Sequence, residues 1–184
     1  KKYLAKLESK TFVRILSTRS SKHGIAASVP PFNQDSLQIL ENESEDEYDD
    51  RLDEIISTLL SSLKVSGARA ERISTVLKVL MKEIGGNLGT NPLDTLLDEW
   101  THVEKKVPNI RRMNLSSFLK KDDKDEFLRS LISYLEGTGA GWLRGCKLDF
   151  DSLLRQTDGK TPINVLYVGH LGLEEQQYVL ARIS

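Results

Sequence analysis

Hydrophobic positions along the chain fall into two alternating regimes. Near the start, Phe12-Val13-Arg14-Ile15-Leu16 is a compact β-branched and apolar run that predicts a strand. Gly24-Ile25-Ala26-Ala27-Ser28-Val29 predicts a second, weaker one, and Pro30-Pro31 closes it with a loop. Before them, Tyr3 to Leu7 has short helical spacing. From Tyr48 the period changes: Tyr48, Leu52, Ile55, Ile56, Leu59, Leu60 and Leu63 recur three and four apart, one buried stripe of a helix. A second stripe (Ile73, Leu77, Leu80 and Ile84, with Val76 and Met81 alongside) runs from about Ala68 and stops at Gly85-Gly86. Asn91-Pro92 opens a third helix with Leu93, Leu96, Leu97 and Trp100 inward, since Asn caps and Pro suits the first helical position.

Beyond Pro108 the elements shorten. Asn114 caps a short helix carrying Leu115, Phe118 and Leu119, and Asp122-Asp123 starts another that buries Phe127, Leu128, Leu131, Ile132 and Leu135. Gly137 to Gly141 ends it. Asp149 to Gln156 reads as a helical turn with Phe150, Leu153 and Leu154 inward, and Asp158-Gly159 as a tight turn. Ile163-Asn164-Val165-Leu166-Tyr167-Val168 is the best strand in the chain, and a closing helix follows Gly169 to Gly172. Two credible strands thus sit at opposite ends with about five helices between them. A two-stranded ribbon is marginal by itself, so the pattern predicts further strands outside this chain.

Composition narrows the class without naming a function. The 184 residues fit one ordinary domain, and 39% apolar with 29% charged residues allow a core. A net charge of −1 excludes a globally basic nucleic-acid binder but leaves room for a local basic face. The single cysteine, Cys146, excludes an internal disulfide and a cysteine-rich zinc site. No apolar run approaches the ~20 residues that cross a bilayer, and no secretory signal pattern is present, so the expected setting is cytoplasmic, without membrane contact. The chain opens on Lys1-Lys2-Tyr3-Leu4 rather than Met and closes on an amphipathic run without a stop signal. It reads as a piece of a longer polypeptide, with a trimmed or processed protein as the alternative.

Most candidate chemistry dissolves on inspection. The seven carboxylates between Glu41 and Asp50 invite a metal site, but Ser44 and Glu47 fit a capping box, and first-turn carboxylates favour the positive end of the helix dipole. Gly137-Thr138-Gly139-Ala140-Gly141 follows a helix rather than a strand and reads as a flexible helix terminator, not a nucleotide loop. Cys146 has His23, His102 and His170 as possible bases, none at a motif spacing, and the three histidines are too scattered to suggest a metal site. No catalytic set, cofactor site or metal site is assigned. The basic residues are more suggestive: Lys105, Lys106, Arg111 and Arg112, followed by Lys120 and Lys121, fall in or beside one irregular stretch suited to phosphate contacts. No aromatic interleaving of the kind that stacks single-stranded bases accompanies them.

Three runs carry a family resemblance. Leu148-Asp149-Phe150-Asp151-Ser152-Leu153-Leu154, then Ile163 to Val168, then Gly172-Leu173-Glu174-Glu175-Gln176-Gln177 resemble the HerA-like and FtsK-like motor ATPases. There, a short Asp-Leu-x-x-Leu-Leu element precedes a strand reading roughly Val-Asn-Val-Leu, a polar loop, and a helix beginning Asp/Glu-Glu-Gln. Val13 to Leu16, Ser20 to Ile25 and Pro31-Phe32-Asn33 are similar to another segment of the family. Many relatives end the later strand with Asp-Leu-Ser, whereas this chain has Tyr167-Val168-Gly169-His170.

The resemblance implies a phosphate-binding loop upstream and a Mg²⁺-organising acidic strand downstream, both outside this chain. It therefore implies ATP and Mg²⁺ for the parent and no complete catalytic machinery here. The expected fold is α/β and predominantly helical, a partial P-loop-like parallel sheet with a large all-helical insertion. Residues 1–40 and 148–184 would belong to the ATPase core and 41–147 to the insertion, with the strands near Phe12–Leu16 and Ile163–Val168 neighbours or near-neighbours in one parallel sheet. The expected function is an internal segment of a hexameric, ATP-driven DNA translocase or helicase-like motor, a homo-oligomer with DNA as a possible partner. Exposed apolar edges would favour association. The alternative is a helical protein–protein interaction module with no nucleotide role.

Overall fold

The computed structural model describes residues 10–19, 21–32, 35–85, 91–137, 139–143, 146–148 and 153–183. The expected helical spacing of Tyr3 to Leu7 lies outside them, as do Gly86, Thr138 and the Asp149 to Ser152 part of the turn. The chain is mixed α/β and mostly helical, and divides into two compact units, one of Lys1–Val29 with Thr138–Ser184 and one of Pro30–Gly137.

Among the described residues, the first unit holds a four-stranded sheet. Strand β1 (Thr11–Thr18) pairs in parallel with β2 (Ile25–Ser28), and β2 with the two-residue β5 (Cys146–Lys147). On its other side β1 pairs in parallel with β6 (Thr161–Tyr167) over seven residues, from Thr11 opposite Thr161 to Ser17 opposite Tyr167. The two sequence-predicted strands are therefore direct neighbours, in the order β5-β2-β1-β6. Pro162, lacking an N–H, suits the edge position that β6 holds among the described residues.

The step from β1 to β2 is unusually short. Parallel strands are normally joined by about a dozen residues or more; here six suffice, Arg19 to Gly24, including a 3₁₀ turn at Ser21–His23. Gly24 makes this possible, because a Cβ there would stand 2.4 Å from the Ile15 carbonyl oxygen. Before β6 the chain turns through Asp158 and Gly159, both at positive φ (52° and 69°), and Thr157 and Lys160 exchange backbone hydrogen bonds. Two positive φ values in a two-residue loop are the geometry that Asp-Gly supplies readily.

The sheet's two faces differ. Arg14, Leu16, Pro162 and Asn164 are buried or half-buried, and the Arg14 guanidinium donates to the Asn164 side chain and the Leu153 carbonyl (both 2.9 Å). On the opposite face Val13, Ile15, Ile163 and Val165 are exposed, Val13 by 63%. Leu154, expected inward, is also exposed. The short α7 (Ala140–Leu143) accepts from the Val29 N–H and the Ser28 hydroxyl at the Trp142 carbonyl, and α8 (Leu173–Ile183) follows β6.

The second unit is built on α1 (Glu45–Ser62) and α2 (Gly67–Ile84), whose stripes are buried as their spacing requires. The capping box at the start of α1 is complete: Ser44 Oγ accepts from the Glu47 N–H and the Glu47 carboxylate accepts from the Ser44 N–H at 2.8 Å. Arg51 ties the preceding segment down. It donates to both oxygens of Glu43 (2.6 and 2.7 Å) and to the Gln38 carbonyl. The Arg51 hydrogen bonds, helped by the Leu40 N–H, hold the Glu43 carboxyl down at about 2.

Helix α3 (Pro92–Thr101) is capped by Asn91 and delivers Trp100 onto Phe127 of α6 (Lys121–Glu136), ring centroids 4.4 Å apart. Leu97 is only half-buried, and on α6 Ile132 is exposed and Leu128 and Leu135 half-buried. That helix buries a narrower stripe, centred on Phe127 and Leu131, than its apolar residues would allow.

Candidate functional site

In open parallel sheets, ligands bind outside the carboxyl ends of the strands, where the strand order reverses. In β5-β2-β1-β6, successive strands step away from β1 on one side before β6 crosses to the other, so the reversal lies between β1 and β6. Three sealed polar atoms without a hydrogen-bond partner among the described residues belong to this end of the sheet: Ser17 Oγ and Thr18 Oγ1, consecutive on β1 and so on opposite faces, and His170 Nδ1, in the segment after β6. Ser17 and Thr18 are completely buried. Buried polar atoms are satisfied in nearly all native proteins, so each of these atoms marks a position that an ordered water or a ligand completes.

His170 has a defined role. Its Nε2 lies 2.7 Å from the Thr18 carbonyl oxygen. A carbonyl has no proton to give, so Nε2 is the donor. Around it the His23, Tyr167 and His170 rings form a triangle with centroids 4.8, 5.3 and 5.5 Å apart. Two of the three histidines that looked scattered in sequence are thus brought together by the β1–β6 pairing.

The charges beside this cluster are spoken for. Arg19, at φ 61°, pairs with Glu175 and lies 5.4 Å from the Trp142 ring, while Glu175 also accepts from the Gly172 N–H before α8. A carboxylate already occupies the helix start and is paired with the arginine, so this end of the sheet offers neutral hydrogen-bonding groups rather than an anion cradle. Gly159-Lys160-Thr161 has the last three letters of a phosphate-binding loop, but it leads into a strand instead of a helix, and Leu154 stands where the loop's first glycine would be.

The sequence-predicted basic residues lie in the helical unit. Lys105 and Lys106 end the short α4 (Val103–Lys106). Arg111 and Arg112 occupy the tip of a hairpin between β3 (Asn109–Ile110) and β4 (Met113–Asn114), where an irregular loop was expected. The hairpin escaped sequence reading because its turn carries arginines rather than Asn-Gly or Asp-Gly; Arg111 nonetheless takes φ 54°. All four side chains are exposed, and Lys106 is paired with Glu99 at 3.2 Å.

A second charged cluster had no sequence signal. Asp123, expected only as a helix start, is 3% exposed and receives Arg69 (3.0 Å) and Arg72 (2.6 and 2.9 Å) from α2. Burial pushes its carboxyl up, but the hydrogen bonds from Arg72 and Arg69 outweigh that and hold it below its ordinary value. With both Asp123 oxygens answered by arginines, this cluster is structural. Cys146 lies on β5, and no trio of His, Cys, Asp or Glu able to hold a metal ion occurs among the described residues. No described helix is long and apolar enough to cross a membrane. Comparison of the chain with protein-family models, with curated proteins and with solved structures finds no match.

Proposed function

We propose that this chain is an internal segment of an ATP-driven, ring-forming motor of the HerA-like and FtsK-like kind, acting on DNA. It supplies two adjacent strands of the parallel core sheet and a helical unit inserted between them in sequence. Phosphate-binding loop and acidic Mg²⁺ strand belong to flanking polypeptide, and ATP is hydrolysed only when they are joined to it.

The observation that carries this reading is the seven-residue parallel register of β1 with β6, whose paired residues stand 150 positions apart in sequence. Pairing across so long an excursion is expected where a pre-existing sheet accepts an insertion. The apolar face of Val13, Ile15, Ile163 and Val165 supports it as well, since parallel sheets are normally covered on both sides. The interaction-module alternative draws less support: the stripes it would offer to partner helices, including Leu52, Ile56, Leu59, Ile73, Leu77 and Leu80, are already buried within the helical unit.

The test has two arms. The coding sequence on either side should supply Gly-x-x-x-x-Gly-Lys-Ser/Thr upstream and an Asp-Glu strand end downstream. A polypeptide extended to include both should hydrolyse ATP in a Mg²⁺-dependent manner, with the 184-residue chain inert. Missing flanking motifs, or hydrolysis by the purified 184-residue chain itself, would overturn the proposal.

A further inference from the structure

Charge in the helical unit is distributed unevenly. Between His102 and Lys121 the sequence carries six Lys or Arg and a single carboxylate, Glu104, in a chain whose net charge is −1. Glu104 is taken by Lys124 at 3.0 Å, and Lys106 is taken by Glu99. Lys105, Arg111, Arg112, Lys120 and Lys121 are exposed, and their side chains have no hydrogen bond or ion pair among the described residues. Elsewhere in the unit the pattern is the reverse: Arg51, Arg69, Arg72, Lys78 and Lys82 are each held by carboxylates, leaving Lys64 and Arg129 as the other cations of the unit without a partner among the described residues. Five unanswered positive charges within seventeen residues are not the background of this surface.

Their mounting is rigid. The hairpin stands on buried Val107, Ile110, Leu115 and Leu119, and α5 (Leu115–Phe118) is tied back by the Leu115 N–H to the Pro108 carbonyl at 2.9 Å. At the tip, Arg111 holds a left-handed backbone, φ 54°, that is unfavourable for a non-glycine residue. Glycine would close the same turn without that cost, so the tip presents an arginine where the fold alone favours none.

We propose that the Arg111-Arg112 hairpin, with Lys105, Lys120 and Lys121 on the segments that flank it in sequence, is a docking surface for the phosphate backbone of duplex nucleic acid, read without regard to sequence. Guanidinium forks match phosphate oxygens in pairs, and lysines add charge along the backbone. Duplex is favoured over single strand because no exposed Phe, Tyr or Trp in the stretch offers a base a ring to stack on; Phe118 is half-buried. A lipid surface is disfavoured because Met113 is the lone exposed large apolar side chain there. The inference rests on charge and hairpin geometry and survives failure of the motor reading.

The experiment is fluorescence anisotropy of a short mixed-sequence DNA duplex titrated with the 184-residue chain at several salt concentrations. Arg111→Gly combined with Arg112→Ala should weaken binding at low salt by on the order of tenfold, and reduce the slope of log affinity against log salt by about 2, near 0.9 for each lost phosphate contact. Its melting temperature should hold or rise, because glycine takes the positive φ, so lost binding cannot be ascribed to unfolding. Lys64→Ala with Arg129→Ala removes the same charge elsewhere on the unit and should leave the slope nearly unchanged. No salt-dependent duplex binding by the unaltered chain, equal losses in the two double variants, or tighter binding to single strands or phosphatidylserine vesicles than to duplex would each overturn the proposal.

Discussion

At the scale of single residues, the helical unit is held by a few carboxylates that must stay ionised. Asp123 is the clearest. With its two arginine partners half-exposed, solvent screens part of the attraction, so Asp123→Asn should cost about 2 kcal/mol, mostly from leaving buried hydrogen-bond donors short of an acceptor. The sign of the pH dependence follows from its lowered pKa. Its contribution is fully present above the ordinary carboxyl value, 3.8, and is lost as the pH falls through the lower folded value. Glu43, held at about 2 against an ordinary 4.5, adds in the same direction over that lower window. Urea midpoints measured from neutral pH down to the acid range should therefore fall for the unaltered chain and fall less for Asp123→Asn. Parallel profiles for the two proteins would dismiss the cluster as an anchor. None of this was legible in the sequence: Asp123 looked like an ordinary first-turn acid, and only the packing of α6 on α2 sets it between Arg69 and Arg72.

At the scale of elements, what the sequence reveals follows the range of the forces involved. Ser44 with Glu47, Asn91 with Pro92, and Asp158 with Gly159 act over two to four residues, so each cap and turn could be read locally and each is in place. The Arg111 hairpin, whose turn contradicts local preference, could not be. Neither could the β1–β2 step, which depends on contact between Gly24 and the backbone of Ile15. Gly24→Ala should destabilise the sheet unit by about 2–3 kcal/mol, because the added methyl meets main-chain atoms that cannot rotate aside. Gly159→Ala, at φ 69° with open space around it, should cost only about 1 kcal/mol of backbone strain. Thermal unfolding of the two variants decides the order. Equal losses would mean that the short connection tolerates a side chain and that Gly24 is not what permits it.

At the scale of the whole molecule, both β1 and β6 were readable as strands because each carries apolar residues at odd and even positions alike, Arg14 and Asn164 excepted, the signature of strands covered on two faces. Among the described residues, only one face of this pair is covered. Val13 and Ile15 on β1 lie beside Ile163 and Val165 on β6, and all four are exposed by 41% or more. Burying apolar area contributes roughly 25 cal/mol per Å², so a face of four such side chains is a standing drive to associate. The chain should sediment with an average mass that rises with concentration. Val13→Thr with Val165→Thr keeps two β-branched residues at strand positions, preserving the preference for extended backbone, while replacing apolar surface with hydroxyls. That variant should sediment as a monomer with an unchanged circular dichroism spectrum. If the proposed motor holds, a longer polypeptide whose added elements cover this face should lose melting temperature with the same two substitutions, because there the valines would be interior. Hydroxyls that leave the short chain's association and the longer chain's stability both untouched would mean that nothing covers this face, and the incomplete sheet would then be the whole sheet.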